Sequence, residues 1–161
     1  MTTMLLAVDA APNDPGRHVT AAVEMARDLA VKTGDKVVVL HVHEYASGRF
    51  GRIRVDCPDD EGERLVSGIV TDLSAAGIAA EADIREADFG HTARGILRAA
   101  NDHDARVIVL GSHSGKDLPS ITFGSVSSRL LHLSRRPVLI VPMCPADSEQ
   151  LTSPASDAVA T

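Results

Sequence analysis

The sequence predicts an α/β domain built on one parallel sheet. Short apolar runs alternate with amphipathic stretches through most of the 161 residues, the rhythm of successive βαβ units. The segment Lys36 to Val42 is nearly continuously apolar and rich in Val, as expected of a strand covered on both faces. A chain of this length supports one core, and no segment repeats within it.

Met4 to Val8 reads as the first strand, followed by a polar turn from Ala10 to Asp14. Val19, Ala22, Val23, Ala26, Leu29 and Ala30 recur at helical spacing and stop at Gly34. Lys36 to Val42 then forms the second strand, inside the sheet, and residues 44 to 60 a long polar connection. Leu65, Val66, Ile69, Val70 and Leu73 mark a second helix that ends at Gly77. Ile78, Ala80, Ala82 and Ile84 alternate with polar residues, so the third strand has one face open to solvent and lies at an edge. A third helix carries Ala93, Ile96, Leu97 and Ala100 behind Gly90-His91-Thr92, and Arg106 to Leu110 is the fourth strand, closed by Gly111. Val126, Leu130 and Leu133 belong to a fourth helix. Pro137 and Pro142 bracket the last strand, Val138 to Val141; proline cannot donate to a ladder, which places this strand at an edge. Residues 1–143 form the domain, and 144–161, small and polar without periodicity, read as a disordered tail.

Composition narrows the function. Hydrophobic residues make up 44% and no apolar stretch is long enough to cross a bilayer, so no membrane role is expected. Aromatics are 2% with no Trp, which removes stacking platforms for single-stranded nucleic acid. A formal charge of -6 offers no general attraction for a polyanion, so nucleic acid is not an expected partner and any anion must be captured locally. Cys57 and Cys144 stand far apart with no metal-knuckle spacing, and the N-terminus carries no basic region or long apolar run. Free thiols in a cytoplasmic protein are the expectation.

The most informative segment is Gly111-Ser112-His113-Ser114-Gly115-Lys116, continued by Asp117 to Phe123 and by Gly124-Ser125 at the start of a helix. It is not a Walker A loop, because three residues separate Gly111 from Gly115 and Lys116 is followed by Asp117. The chain has no Gly-x-Gly pair for a dinucleotide fingerprint, and His113 occupies the centre where a nucleophile elbow needs serine. What survives is an anion site made of backbone. Small residues after a strand admit a phosphate, and the helix opening at Gly124-Ser125 presents N–H groups and a positive dipole end. Ser125 could donate to phosphate and Lys116 add charge. The alternative is an ordinary βα loop with Gly111 and Gly115 as turn residues and Ser125 as N-cap.

The block from Gly111 to Pro142 resembles the signature of the universal stress protein family. Nucleotide-binding members carry Gly, two residues, Gly, nine residues, then Gly-Ser or Gly-Thr, and end in a Pro-Val-x-x-Val-like strand. The spacing from Gly111 to Gly124-Ser125 fits, as does Pro137-Val138-Leu139-Ile140-Val141-Pro142. Leu6-Ala7-Val8-Asp9, Leu40-His41-Val42 and Gly90 match in support, so the resemblance covers about residues 3 to 142. One position departs: Ser114 stands where the family has its second glycine, and Gly115 comes one residue later. If a left-handed backbone is needed there, serine costs about 1–2 kcal/mol, or about tenfold in affinity, which predicts weakened rather than abolished binding.

The resemblance implies a Rossmann-like open sheet of five parallel strands in the order 3-2-1-4-5, with helices on both faces and the ligand at the switch between strands 1 and 4, where open α/β sheets generally bind. It implies adenine against Ala7, Val8 and the main chain of Val42, and adenosine near Asp9. The phosphates would lie along Gly111, Ser114, Gly124, Ser125 and Val126, with Gly115 taking over the turn of the displaced glycine and Lys116 adding charge on the reading of the residues themselves. The implied ligand is ATP, with AMP and cyclic AMP as alternatives and Mg as a companion of ATP. The implied protein is a stress-responsive sensor or regulator, homodimeric through its last strand. Two other functions stay open: an interaction protein of the same fold without useful nucleotide affinity, and an enzyme that transfers AMP or hydrolyses ATP. No triad or metal-binding acidic pair is assembled in the sequence, so no catalytic residue is assigned.

Three further features have plainer readings. Asp9 can cap a turn as well as meet a ligand. His41 and His43 share one face of a strand, but with no acidic or sulfur partner in a recognisable motif they read as packing or hydrogen-bonding residues rather than a metal site. The connection Glu44 to Glu61 holds Arg49, Arg52 and Arg54, either as a lid over phosphates or as a solvated loop whose charges pair internally.

Overall fold

A computed structural model describes residues 1–10, 17–56, 60–112 and 124–142. The elements are β1 (Thr3–Ala7), α1 (Arg17–Thr33), β2 (Lys36–Gly48), β3 (Gly51–Arg54), α2 (Glu61–Ala75), β4 (Ala80–Asp88), α3 (Thr92–Asp102), β5 (Ala105–Gly111), α4 (Ser125–Leu133) and β6 (Val138–Val141). Both cysteines and the expected tail lie outside the described residues. No helix among the described residues is long and apolar enough to cross a membrane.

The five expected strands pair in parallel in the spatial order β4-β2-β1-β5-β6, which is the expected order 3-2-1-4-5. The expectation of a polar connection over residues 44 to 60 needs correction, because the sheet has a sixth, antiparallel strand there. β2 runs on to Gly48, turns through Arg49 and Phe50, and pairs Tyr45–Gly48 with Arg54–Gly51 of β3. Gly51 has φ 121°, a conformation side chains disfavour, and so closes this tight turn. Polarity concealed the strand: Gly51, Arg52 and Ile53 are all exposed, so no burial pattern marks it.

Carbonyls of consecutive strand residues point to opposite edges. Tyr45 O accepts from Phe89 N after β4, whereas Glu44 O accepts from Val55 N after β3. β3 therefore lies on the β1 side of β2, beyond the point where β1 ends. Arg52 crosses the Tyr45 ring at 4.5 Å and reaches Glu86 on β4 at 3.0 Å, tying the arm to the far edge.

Two apolar layers cover the sheet. Met4, Leu6, Val37, Val39 and Val109 face Ala22, Ala26 and Ala30 of α1 and Val66, Ile69 and Leu73 of α2. Leu5, Val38, Leu40, Val42, Ile108 and Leu110 face Ala93, Ile96, Ala99 and Ala100 of α3 and Leu130 of α4. Side chains alternate between these layers along β1, β2 and β5, which is why Met4–Leu6, Val37–Leu40 and Val107–Leu110 are continuous apolar runs. β4 lies at an edge with one face open, as expected, but the alternation runs the other way: Ala82 and Ile84 are on the open face and the polar residues that alternate with them are partly covered. Its Asp83 and Arg85 turn toward α3, where His103 meets Asp83 at 2.8 Å and Arg85 meets Asp102.

At the opposite end of the strands from the loops that follow β1 and β5, Asp35 is buried. It accepts from Arg106 Nε at 2.7 Å, from Thr33 at 2.6 Å and from Thr2. The Arg106 guanidinium lowers the carboxyl from 3.8 to about 2, against the opposing effect of burial. A depressed folded pKa adds stability that is fully present above the unfolded value and lost as pH falls through about 2. Asp35→Asn is expected to lower stability at pH 7 by about 2 kcal/mol and to flatten the fall in melting temperature between about pH 4 and pH 2, read by thermal denaturation.

Candidate functional site

The helices that follow the neighbouring strands β1 and β5 pack on opposite faces of the sheet, α1 on one and α4 on the other. Their divergence opens a crevice at the carboxyl ends of these strands. A cleft of about 460 Å³ occupies it, within the range of small-molecule sites. Ala7, Val8 and Asp9 form its floor and mouth, Leu40, Val42 and Glu44 one wall, and Leu110 and Gly111 the other. The first turn of α4, Gly124 to Ser127, closes one end.

Gly124 is the N-cap of α4 and no side chain caps that end, so the reading of Ser125 as N-cap gives way to one with Ser125 as the first helical residue. The N–H groups of a helix's first turn have no intrahelical acceptor, and here the residues bearing them line the cleft. The wall at α3 is held by Glu44, whose Oε1 accepts from Gly90 N at 3.1 Å and from the Thr92 hydroxyl. Gly95 lets α3 come this close: a Cβ there would stand 3.1 Å from Val42 Cγ1. Asp9, Glu44 and Asp56 put carboxylates around the cleft, and no Lys or Arg lines it among the described residues.

Eight of the sequence-derived site residues, Ala7, Val8, Asp9, Val42, Gly111, Gly124, Ser125 and Val126, thus meet around one cleft. Ser114, Gly115 and Lys116 lie outside the described residues, as does His113. The three arginines of the β2–β3 arm do not line the cleft. Arg52 pairs with Glu86, Arg54 donates to the Tyr45 hydroxyl at 3.4 Å, and Arg49 is exposed at the turn, in keeping with internal pairing rather than a phosphate lid.

Beside the cleft is a cluster that sequence spacing did not bring together. His41 and His43, both buried, point from β2 toward α2 and the end of the arm. His41 Nδ1 donates to Val8 O at 3.0 Å and its Nε2 lies 3.2 Å from Asp56 Oδ2. His43 Nδ1 lies 2.8 Å from the same oxygen, and its Nε2 lies 2.9 Å from Glu63 Oε1. Glu63 is held below the usual carboxylate value, first by a backbone hydrogen bond and then, against desolvation, by His43. The acidic partners are invisible as a motif because a hairpin, which the sequence conceals, delivers Asp56. Two histidines on one strand face were the only available signal.

The sequence profile of the universal stress protein family matches residues 1–142. Universal stress protein Sll1388 of Synechocystis is 35% identical over 81 residues; the match spans 50% of this chain and 51%, about half, of that relative's length. Two solved structures of universal stress protein from Archaeoglobus fulgidus share the fold at 22% identity, covering 88% of this chain and 98% of theirs. One has a TM-score of 0.68 and the other, in complex with dAMP, 0.62. A universal stress protein in complex with cAMP is 21% identical, with a TM-score of 0.57 over 89% of this chain and 98% of its own.

The histidine cluster depends on Gly62, where a Cβ would fall 2.3 Å from His41 Cδ2. Gly62→Ala is expected to cost about 1–3 kcal/mol, because the ring is held at both nitrogens and cannot swing away. Gly68→Ala, one helix face away with nothing within 4 Å, is expected to raise stability by up to about 1 kcal/mol. Urea denaturation of the two variants checks the pair.

Proposed function

The chain belongs to the universal stress protein family, and from that premise we propose that its cleft binds an adenine nucleotide. The observation that carries this reading is the meeting of an uncapped helix N-terminus with the crevice between β1 and β5. Along the β1 side of β2, Leu40 O accepts from Val8 N and Glu44 O from Val55 N. Val42, of the same phase, points its main-chain groups toward the cleft between these two rungs, placed to read the edge of an adenine stacked over Ala7 and Val8. Asp9 takes the ribose, and Gly111, Gly124, Ser125 and Val126 the phosphate path, with Ser114, Gly115 and Lys116 contributing from the intervening loop.

The carboxylates around the cleft favour a nucleotide that brings its own cation, which supports ATP with magnesium; the complexes of relatives with dAMP and cAMP support a monophosphate. The protein then acts by binding rather than turnover, as a cytoplasmic sensor or regulator whose occupied state is the stabilised one; ligand at a hundred times its Kd adds about 2.7 kcal/mol. A homodimer forms through β6, whose Val138, Leu139 and Ile140 are half-buried on a strand at the sheet edge. That edge also supports the second reading, a dimeric interaction protein in which Ser114 has cost the nucleotide site its affinity.

Calorimetric titration with ATP, with and without magnesium, and then with AMP and cyclic AMP, separates the two. Micromolar binding of one nucleotide is expected. Gly124→Asp is expected to weaken it by about tenfold or more, because aspartate caps α4 itself and opposes phosphate, while stability holds or rises by a few tenths of a kcal/mol, about what a better cap gives. No heat with any nucleotide overturns the nucleotide reading in favour of the second.

A further inference from the structure

We propose that His41, His43 and Asp56 form a binding site for a borderline divalent transition-metal ion, zinc or a close relative, beside the nucleotide cleft. His41 Nε2, His43 Nδ1 and an Asp56 carboxylate oxygen lie within 4.8 Å of one another.

Val8 O can only accept, so the His41 Nδ1 facing it at 3.0 Å carries a proton. A Glu63 carboxylate oxygen accepts, and Oε1 faces His43 Nε2 at 2.9 Å, so that nitrogen carries the second ring's proton. A neutral imidazole has one N–H, so the lone pairs fall on His41 Nε2 and His43 Nδ1. Both of these nitrogens face the same oxygen, Asp56 Oδ2, at 3.2 and 2.8 Å. Two lone pairs and a carboxylate oxygen aimed at one another repel unless positive charge lies between them. A metal ion supplies it with both rings neutral; the alternative is that protons do so, on the rings or on Asp56 itself.

The surroundings suit the metal. A histidine ligand characteristically donates its other ring N–H to a backbone carbonyl or a carboxylate, and these two histidines show one of each. The edge of a tetrahedron with bonds of about 2.1 Å is about 3.4 Å, so the two nitrogen–oxygen separations of 3.2 and 2.8 Å need to open by a few tenths of an ångström, while the two ring nitrogens, within 4.8 Å of each other, adjust to the same edge. Two imidazoles and one carboxylate select zinc, cobalt, nickel or ferrous iron over magnesium or calcium. The ion would fasten the chain after β3 to β2, which is where the sheet otherwise holds that segment by the polar contacts of a four-residue strand.

The test uses the full chain, stripped with chelator and free of nucleotide, so its failure leaves the nucleotide reading intact. Titration with Co²⁺ is expected to give visible d–d absorption that saturates at one ion per chain and is displaced by Zn²⁺. Zn²⁺ is expected to raise the melting temperature, and Mg²⁺ to do neither. Asp56→Asn and His43→Gln are expected to weaken Co²⁺ binding by more than about 100-fold, Glu63→Gln by about 10–100-fold, and His103→Gln, at the far edge of the sheet, not at all. If His43→Gln does not fold, Asp56→Asn and the partly exposed Glu63→Gln carry the test. A folded wild type without a saturable Co²⁺ spectrum overturns the proposal, as does undiminished binding in Asp56→Asn. Imidazole proton resonances showing both rings charged at neutral pH, with no metal uptake, assign the cluster to protons instead.

Discussion

The architecture of the functional end follows from one mismatch of length: β2 has thirteen residues and β1 five. β1 reaches β2 as far as Ala7 opposite Leu40, with one more bond from Val8 N to Leu40 O. Past that rung the β1-side edge of β2 has lost its neighbour, and backbone polar groups at a partly buried edge need partners. The chain supplies them by folding β2 back on itself, so that Glu44 O finds Val55 N and the edge closes again. Between the end of one neighbour and the start of the next, Val42 faces a gap, and that gap is part of the cleft. The overhang thus creates the opening, shapes its wall and positions Asp56.

Small residues decide how near the helices come to that opening. With aromatics at 2% of the chain, the layers are filled by Ala, Val, Leu and Ile, and α3 approaches β2 through Gly95. The approach places Thr92 and Gly90 within reach of Glu44, so a carboxylate from the sheet fixes the turn that begins α3. Arg129 of α4 donates to Gly90 O from the other side. The turn before α3 is therefore held by both the sheet and the helix whose N-terminus opens into the cleft, giving the site a rigid rim where sequence alone suggests only a loop.

Most of the parallel sheet was legible because its strands are buried on both faces or edged by proline, and burial is what hydrophobic patterning records. Leu5 and Leu6 sit in different layers, yet both had to be apolar. The eight sequence-derived residues that line the cleft were legible through family resemblance and through the switch-point rule, not through chemistry of their own: Ala7, Val8 and Val42 are ordinary core-type residues. β3 was not legible, since four exposed or half-exposed residues paired by backbone hydrogen bonds leave no periodicity. The histidine cluster failed with it. His41 and His43 were visible as a pair, but Asp56 is brought to them by that concealed hairpin and Glu63 by α2, and neither separation resembles a ligand spacing.

The cluster and the cleft share structure, and this constrains how they can behave. Val8 lines the cleft and its carbonyl accepts from His41; Asp56 lines the cleft and its carboxylate faces both histidines. Whatever positive charge stands between Asp56 and the rings, proton or metal, sets the charge that Asp56 presents to the cleft and the freedom of the arm that carries it. A phosphate or a magnesium ion bound in the cleft as proposed would experience that difference directly, with opposite signs. Coupling between two occupants of one protein is reciprocal, so a ligand that favours one state of the cluster must be favoured by it in return. The link needs no displacement of the sheet, because the two sites meet at residues that β1, β2 and the arm already hold in place.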